Sequence, residues 1–361
     1  MLAVVDMGTT TFHITVAKAE ANGDFHIMDS EKANVHLGGL ITADAEARAF
    51  ETMERFIALA SAYGASLRVV ATSAIRDAGN RGAFLSNMLH KIGIEVEVLT
   101  DEEEAYLIYR GVLRALPVHH KITLVIEIGG GSTEFVIGKA GRPIYAASMK
   151  LGHARIDDLF HASGGSSDVV GKIQLEQIRE YVRDVLKESG IVDHVRNAGC
   201  EVVVGSSSTI GSLEQIINHA HAGSYATLLI AEQAHLGVSG YREREFTKDE
   251  LVGIVQQLCK AKNNEHRAKA FGKRAETLVG GALLLEEIFK ALSIQKMKVL
   301  PSALREGVIV DTLVKIFPRY EVSPIIRWNS VIRLAKKFYS EETFFAARHS
   351  AQLAAVRLNK R

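Results

Sequence analysis

The stretch Ile122–Ala140, ITLVIEIGGGSTEFVIGKA, decides the fold. An apolar, β-branched run with a single acid, Glu127, leads into three consecutive glycines, two hydroxyl residues and a second apolar run. The pattern predicts a strand, a tight turn and a second strand, because glycine lets the backbone turn sharply and approach a ligand closely. The turn amides and the hydroxyls of Ser132 and Thr133 can donate to phosphate oxygens. A glycine-rich hairpin without a ligand is the alternative, since short glycine patterns also occur by chance.

The same pattern opens the chain, where Leu2–Ala19 reads apolar run, acid, glycine, hydroxyl-rich turn and apolar run. Three pairs of positions correspond: Asp6 with Glu127, Gly8 with Gly129, and Thr11 with Ser132. An internal repeat of this kind predicts two lobes, each opening with a strand–turn–strand unit. Two such turns with two carboxylates would suit a phosphate chain and a divalent cation, since amides bind the anion and acids bind the metal.

The composition of the 361-residue chain limits the possible classes. A hydrophobic content of 47% and a charged content of 24% indicate a globular protein with room for two domains. The net charge of +1 gives no overall field that would attract nucleic acid or a membrane. Cys200 and Cys259 are too few for a disulfide framework, which favours a cytoplasmic location. Asp6 interrupts the first apolar run, which argues against a signal peptide, and no run has the ~20 apolar residues of a membrane helix.

Three further segments carry residue types suited to phosphate chemistry. Ala71–Asn80 places hydroxyls and Arg76 after a predicted strand, which suits either anion binding at a helix start or a simple N-cap with a surface arginine. Asp101–Ala105 opens a predicted helix with four acids, which either favour the helix dipole or include a general base. Gly205–Thr209 follows a strand with one glycine and four hydroxyl residues, either a phosphate loop or a capping turn.

Together these segments resemble the exopolyphosphatase and guanosine pentaphosphate phosphohydrolase (Ppx/GppA) family. The matching segments are the Asp6–Gly8 turn, ATSAIRDAGN at 71–80, EEA at 103–105, IGGGSTE at 128–134, LGHARI at 151–156, GSSSTI at 205–210, RAETLVGGALLL at 274–285 and LREGVI at 304–309. The resemblance implies an α/β fold of two ribonuclease-H-like lobes, as in actin and sugar kinases, with an interlobe cleft. The implied parts are a first lobe of residues 1–121 and 298–317, a second lobe of residues 122–297, and a short helical C-terminal tail of residues 318–361.

The resemblance also implies an enzyme that hydrolyses terminal phosphoanhydride bonds of polyphosphate or guanosine pentaphosphate with Mg²⁺ or another divalent cation. Glu104, in the EEA segment, would orient or deprotonate the attacking water. The carboxylates that would handle the metal are Asp6, Glu127 and Glu134. The residues that would bind phosphate are Gly8, Thr9, Thr10, Thr11, Arg76, Gly129, Gly130, Gly131, Ser132, Gly205, Ser206, Ser207, Ser208 and Thr209. Positioning and charge neutralisation would then drive the attack, without a covalent intermediate.

Four positions depart from the family pattern. Glu127 stands where aspartate is usual and Ser208 where a glycine is usual, while His36 and Tyr106 each stand where an arginine is common. The longer carboxylate would shift the metal, and the Cβ of Ser208 would conflict either with a positive φ or with the close approach of phosphate. The alternative function is therefore a non-catalytic protein that binds polyphosphate or guanosine polyphosphates through lobe closure. An actin-like ATPase or sugar kinase is a third possibility, although it gives Glu104 no purpose. The tail would bury little apolar surface alone, which makes a homodimer possible.

Overall fold

The computed structural model describes residues 1–20, 25–162, 172–218, 244–261, 271, 278–300 and 303–316. The predicted C-terminal tail, residues 318–361, lies outside this described part, so the homodimer inferred from it stays a prediction. Among the helices described, none is long and apolar enough to cross a membrane.

The first sheet has five strands in the order β3-β2-β1-β4-β5. Its strands are β1 (Leu2–Met7), β2 (Thr11–Ala19), β3 (Phe25–Asn34), β4 (Ser66–Ala71) and β5 (Glu97–Val98). The first three form an antiparallel meander, and β4 and β5 run parallel to β1. The helices in this part of the chain are α1 (Ala43–Ala62), α2 (Ser73–Arg76), α3 (Arg81–Asn87), which continues as a π-helical turn over Met88–Ile92, and α4 (Asp101–Ala115).

The second sheet has six strands in the order β10-β11-β9-β6-β7-β8. Its strands are β6 (Thr123–Ile128), β7 (Thr133–Lys139), β8 (Arg142–Met149), β9 (Val202–Ser206), β10 (Glu245–Thr247) and β11 (Lys296–Leu300). The remaining helices are α5 (His153–Ala162), α6 (Lys172–Glu188), α7 (Ile191–Ala198), α8 (residues 208–218), α9 (Lys248–Lys260), α10 (Val279–Ala291) and α11 (Leu304–Ile316).

The two sheets share one topology, with β10 as an extra strand at one edge of the second. In the first sheet the order β3-β2-β1-β4-β5 combines an antiparallel meander with two parallel strands. In the second sheet β8-β7-β6-β9-β11 repeats that order and those directions. The two-lobe α/β architecture predicted from the internal repeat is therefore confirmed.

The strand β11 corrects the predicted boundary between the lobes. Residues from 298 onward were expected in the first lobe, but Lys298 pairs with Val204 and Leu300 with Ser206 in the second sheet. The reason is packing, since Met297 and Val299 are buried in the core of the second lobe. The chain returns to the first sheet only with α11, which packs on β1 and β2.

Two helices, α4 and α11, form the layer between the sheets. The helix α11 packs on the first sheet, whereas α4 packs on β7 and β8 of the second. The two helices also cross each other at two glycines. A Cβ added at Gly111 would overlap the carbonyl oxygen of Ala303, and a Cβ at Gly307 would overlap that of Leu107. The two backbones therefore touch directly, an approach that glycine allows because it has no side chain.

Asp157 is a half-buried acid where α5 packs on α10. Its carboxylate accepts a hydrogen bond from the backbone N–H of Gly280, and a Cβ at that glycine would lie 2.5 Å from Oδ1. Burial raises the pKa of Asp157 to about 7. The folded protein therefore binds a proton at this carboxyl that an unfolded chain, with an ordinary aspartate pKa, releases.

We expect Asp157→Asn to stabilise the protein more at pH 8 than at pH 5. Ionised Asp157 is costly to bury, so stability falls as pH rises from about 4 to about 7, and asparagine avoids that loss while keeping an acceptor for Gly280. The gain at pH 8 should be on the order of 2 kcal/mol. Urea unfolding at both pH values measures it, with exposed Asp184→Asn on α6 as the control. A variant no more stable than the natural chain at pH 8 would contradict this account.

Candidate functional site

The two glycine turns have the same hydrogen-bonded geometry. The Gly8 N–H donates to the carbonyl of Thr11 over 3.1 Å, and the Gly129 N–H donates to the carbonyl of Ser132 over 2.9 Å. A Cβ at either glycine would lie 3.0–3.3 Å from the carbonyl oxygen that closes its turn. The correspondence read from the sequence repeat is thus present in the backbone.

The two turns face each other at close range. A Cβ at Gly130 would lie 2.7 Å from Thr10 Oγ1 and 3.1 Å from Thr9 Cβ. A Cβ at Gly131 would lie 3.1 Å from Thr9 Oγ1 and 3.5 Å from Ser73 Oγ. The second and third glycines therefore leave room for the opposite lobe, and they bring the turn of β6–β7, the turn of β1–β2 and the start of α2 to one place.

The carbonyl groups of both turns are used, but four of their amides are not. In the first turn, the Thr9 carbonyl accepts a hydrogen bond from the Leu37 N–H, and the Thr10 carbonyl accepts from the N–H groups of Val35 and His36. In the second turn, the Gly129 carbonyl accepts from the His153 N–H, and the Gly130 carbonyl accepts from the N–H groups of Ala154 and Arg155. Within the part of the chain that the structure describes, the backbone N–H groups of Thr9, Thr10, Gly130 and Gly131 donate to no protein acceptor. Neighbouring N–H groups without acceptors are an arrangement that binds anions.

At the start of α4, the neighbouring acids Glu103 and Glu104 have different environments and different roles. Thr100 and Glu103 form a capping box, in which the Glu103 N–H donates to Thr100 Oγ1 (3.2 Å) and the Thr100 N–H donates to Glu103 Oε2 (2.9 Å). Glu103 is exposed, whereas the next residue, Glu104, is 5% exposed. The first turn of α4 thus combines both interpretations of its acids, a helix cap and an inward carboxylate.

Arg76 holds the buried carboxylate of Glu104. Its Nη1 donates to Glu104 Oε2 over 2.8 Å and to the carbonyl of Leu99 over 2.8 Å, while Nη2 lies 2.5 Å from Asp101 Oδ1. Burial and then the charge of Glu134 raise the pKa of Glu104 well above its usual value, and Arg76 opposes that rise. The structure therefore gives Arg76 a partner within the protein, and its predicted contact with phosphate stays a prediction.

The hairpin β6–β7 places two further acids opposite each other. Glu127 and Glu134 are directly paired across the strands. Glu134 Oε1 accepts a hydrogen bond from Ser148 Oγ of β8 (3.1 Å), and burial raises the pKa of Glu134 to about 7. Glu127 Oε2 is buried and has no hydrogen-bond partner among the described residues. Burial, Glu134 and Asp6, in that order, raise the pKa of Glu127 well above its usual value.

The start of α11 adds a cation that the residue-level reasoning missed. Arg305 Nη1 lies 3.4 Å from Asp6 Oδ2, and burial raises the pKa of Asp6 despite this pair. In the described structure, neither Arg305 Nε nor Glu306 Oε2 has a hydrogen-bond partner, although both atoms are buried. The sequence does contain an indication of this cation, since Arg305 and Glu306 stand at the start of an otherwise apolar helix. The sequence alone does not show which strand that helix covers.

A comparison with known families identifies the chain. The model of the Ppx/GppA phosphatase family matches residues 15–316. The chain belongs to the Ppx/GppA phosphatase family. Exopolyphosphatase 1 of Mycobacterium tuberculosis is 29% identical over 320 residues, which cover 86% of this chain and 88% of that protein. Exopolyphosphatase 1 of Mycobacterium leprae is likewise 29% identical, with coverages of 86% and 89%.

Solved structures of family members share the fold. An exopolyphosphatase from Cytophaga hutchinsonii has a TM-score of 0.73 and 26% identity, covering 87% of this chain and 98% of that one. The Ppx/GppA family member of Aquifex aeolicus has a TM-score of 0.66 and 21% identity, with coverages of 88% and 98%. The second likeness supports the fold alone. The two-lobe arrangement of this chain is therefore that of its family.

The Gly205–Thr209 segment is a capping turn in this family member. Ser207 Oγ accepts a hydrogen bond from the Ile210 N–H (3.1 Å) and so caps α8. A Cβ at Gly205 would lie 2.5 Å from Met297 Sδ, so that glycine provides room for the core. Among the described residues Ser206 Oγ is buried without a partner. Phosphate binding by Gly205, Ser206, Ser207, Ser208 and Thr209 stays a prediction.

The expected backbone conflict at Ser208 is wrong. Among the described residues other than glycine, a positive φ occurs at His36, Ala140 and Ser293. Ser208 is instead the first residue of α8, where the right-handed helical backbone has a negative φ that suits an L side chain. The other expected effect, that the Cβ of Ser208 blocks the close approach of phosphate, stays a prediction.

The acids of the site suit a hard divalent cation. No three described side chains of the metal-binding types lie close enough together to form a complete site. Asp6 and Glu134 nevertheless both lie close enough to Glu127 to raise its pKa, and Glu127 Oε2 lacks any protein partner in the described part. Mg²⁺ prefers oxygen ligands and commonly takes one or two carboxylates plus substrate phosphates. This donor set could hold such an ion with the substrate.

Proposed function

We propose that this family member hydrolyses the terminal phosphoanhydride bond of inorganic polyphosphate in a cleft between the two glycine turns. The observation that carries the proposal is a buried carboxylate, Glu104, next to two turns with four unused N–H groups. The short helix α2 links them, since Ser73 lies beside Gly131 and Arg76 binds Glu104. The names of the mycobacterial and Cytophaga relatives support polyphosphate as the substrate.

The turns would bind the terminal phosphate. The free N–H groups of Thr9, Thr10, Gly130 and Gly131 come from both lobes, so a phosphate between them would receive donors from two sides. The guanidinium of Arg305 adds a positive charge beside Asp6, with a buried Nε that lacks an acceptor in the described structure. This arrangement favours an anion with several oxygens, such as a phosphate group.

Glu104 would act as the general base. Burial raises its pKa and so makes its carboxylate a stronger base, while Arg76 keeps the ionised form oriented. The carboxylate accepts a proton as the water oxygen forms a bond to the terminal phosphorus. The bond from that phosphorus to the bridging oxygen breaks, and the shortened chain leaves with the bridging oxygen.

Asp6, Glu127 and Glu134 would hold Mg²⁺ together with the substrate phosphates. When bound, the ion would neutralise charge on the phosphoryl oxygens. The chain prepares these ligands itself, since Ser148 orients Glu134 through a hydrogen bond of 3.1 Å and Arg305 orients Asp6.

Guanosine pentaphosphate is a possible second substrate, because its triphosphate end carries the same type of terminal anhydride bond. The alternative function is a protein that binds polyphosphate or guanosine polyphosphates without hydrolysis. That alternative is favoured by Glu127, whose longer side chain ends in an oxygen without a partner in the described part. The hydrolase and the binding protein would use the same turns, so only the release of phosphate distinguishes the two functions.

Phosphate release from long-chain polyphosphate, guanosine pentaphosphate and ATP, each with Mg²⁺, tests the proposal. We expect release from polyphosphate. Release from ATP alone would indicate a nucleotidase and overturn the proposal. Binding of polyphosphate by calorimetry without release from any substrate would establish the binding protein. In that case Glu127→Asp should restore release if the longer carboxylate is the cause.

A further inference from the structure

His153 is a polar side chain beside the second turn that the mechanism above leaves unused. Its backbone N–H donates to the carbonyl of Gly129 over 3.0 Å, which fixes it next to the phosphate-facing loop. On the other side, its Cβ lies 3.3 Å from where a Cβ at Gly281 would be, so α10 gives the imidazole room. The ring atom Nδ1 is buried and has no hydrogen-bond partner in the part of the chain described.

The charged groups that face this ring come mainly from the first lobe. Lys32 on β3 and His36 after it are both close enough to affect it. On the side of the second lobe, the neighbours are Gly281 and Thr209, and neither of these residues titrates. The helix α5 itself carries one acid, Asp157, one turn after His153. Burial first, and then Lys32 and His36, lower the pKa of His153 to about 4, so the free protein holds a neutral imidazole at pH 7.

Each of the two histidines follows the third strand of its meander and bonds to the glycine turn of its own lobe. The His36 N–H donates to the carbonyl of Thr10 in the first turn, as the His153 N–H donates to Gly129 in the second. Since the backbones of both histidines bond to the turns, a phosphate chain bound there would lie beside both residues. A buried ring nitrogen without a partner is costly, and a phosphate oxygen would supply the missing acceptor.

We propose that His153 is a substrate-contacting residue that donates a hydrogen bond from Nδ1 to a phosphate oxygen of the bound chain. Lys32 supplies positive charge from the opposite lobe. The negative phosphates offset the effect of Lys32, so binding favours a proton on the imidazole of His153 and the complex takes up protons. The inference rests on the proposed function, because it concerns the substrate of the same site.

Calorimetric binding of tripolyphosphate with Mg²⁺ to the full chain carrying Glu104→Gln tests the contact without turnover. His153→Asn places an amide nitrogen near the position of Nδ1, whereas His153→Gln places one near Nε2. We expect the Asn variant to bind within a few-fold of the parent and the Gln variant about 10- to 100-fold more weakly. Retained binding by the Asn variant also shows that the site still folds. Equal affinity of the Gln and Asn variants would overturn the contact.

Proton uptake is a readout that a merely structural histidine would not change. Titrations at about pH 6, in two buffers of different ionisation enthalpy, give the number of protons bound with the ligand. We expect fewer protons with His153→Asn than with the parent, and equal numbers would overturn the inference. If the parent binds tripolyphosphate but the His153 variants match it in affinity and protons, only this inference fails. If the parent does not bind and the natural chain releases no phosphate, the proposed function fails too.

Discussion

Glu104→Gln should reduce phosphate release from polyphosphate by about 10²- to 10⁴-fold, the usual contribution of a general base. Glutamine has nearly the same size and can still accept a hydrogen bond from Arg76, which now binds Oε2 over 2.8 Å. It cannot take a proton from water. The effect should therefore fall on kcat and leave KM within a few-fold, because the turn amides that would bind the phosphate are untouched. Steady-state phosphate release over a range of polyphosphate concentrations measures both constants.

The matched control is Glu102→Gln, two residues earlier on the same helix. Glu102 is exposed, whereas Glu104 is 5% exposed, so the control removes one charge from the same turn without altering the buried site. We expect the control to keep full activity. Activity in Glu104→Gln above a tenth of the natural value, or an equal loss in Glu102→Gln, would rule out Glu104 as the base.

Of the glycine-to-alanine substitutions in the described part of the protein, Gly307→Ala should lower the free energy of unfolding the most. The added Cβ would overlap the carbonyl oxygen of Leu107, and a backbone atom cannot move aside as the end of a side chain can. The helices α4 and α11 would have to separate, and both carry core residues packed between the sheets. We expect a loss of about 3 kcal/mol in the free energy of unfolding, measured by urea denaturation. Activity of the folded fraction should also fall, since α4 carries Glu104.

Gly253→Ala, in the middle of α9, is the control for this substitution. A Cβ there meets nothing within 4 Å, so the change should follow helix propensity and stabilise the protein by about 0.5–1 kcal/mol. The two alanine substitutions therefore have opposite expected signs. If Gly307→Ala unfolds at the same urea concentration as Gly253→Ala, the helices are not in backbone contact at that glycine.

The sequence predicted best what depends on local chemistry. The two turns and the correspondence of Gly8 with Gly129 follow from glycine patterns that repeat in one chain, and the matching hydrogen bonds that close the turns agree with that correspondence. The lobe boundary at β11 was wrong because a short apolar run shows that a strand is buried but not which sheet buries it. The crossing at Gly111 and Gly307 was not predicted, because a close approach between distant segments leaves no trace in the residues beside either glycine.

The candidate site shows the same limit. The Thr100–Glu103 spacing of a capping box is visible in the sequence, and it would have separated the exposed acid from the inward Glu104. The hydrogen bond from Ser148 to Glu134 depends on the register between β7 and β8, which the sequence does not show. Arg305 and His153 lie in segments that match the family, but their neighbours come from the opposite end of the chain or the other lobe.

The backbone contact between α4 and α11 also limits how the lobes can move. Helices that already touch at Gly111 and Gly307 cannot come closer, and the core that they share resists their separation. The motion left to the two sheets is a rotation about the point where the helices cross, which acts as a pivot. Arg305 lies two residues from that pivot and hardly moves during such a turn. Glu104 lies three residues before Leu107, which touches Gly307, and Arg76 of α2 binds its carboxylate, so it also stays close to the pivot. Closing on a substrate would then move the Gly129–Gly131 turn of the second lobe relative to a base and a guanidinium that stay nearly still.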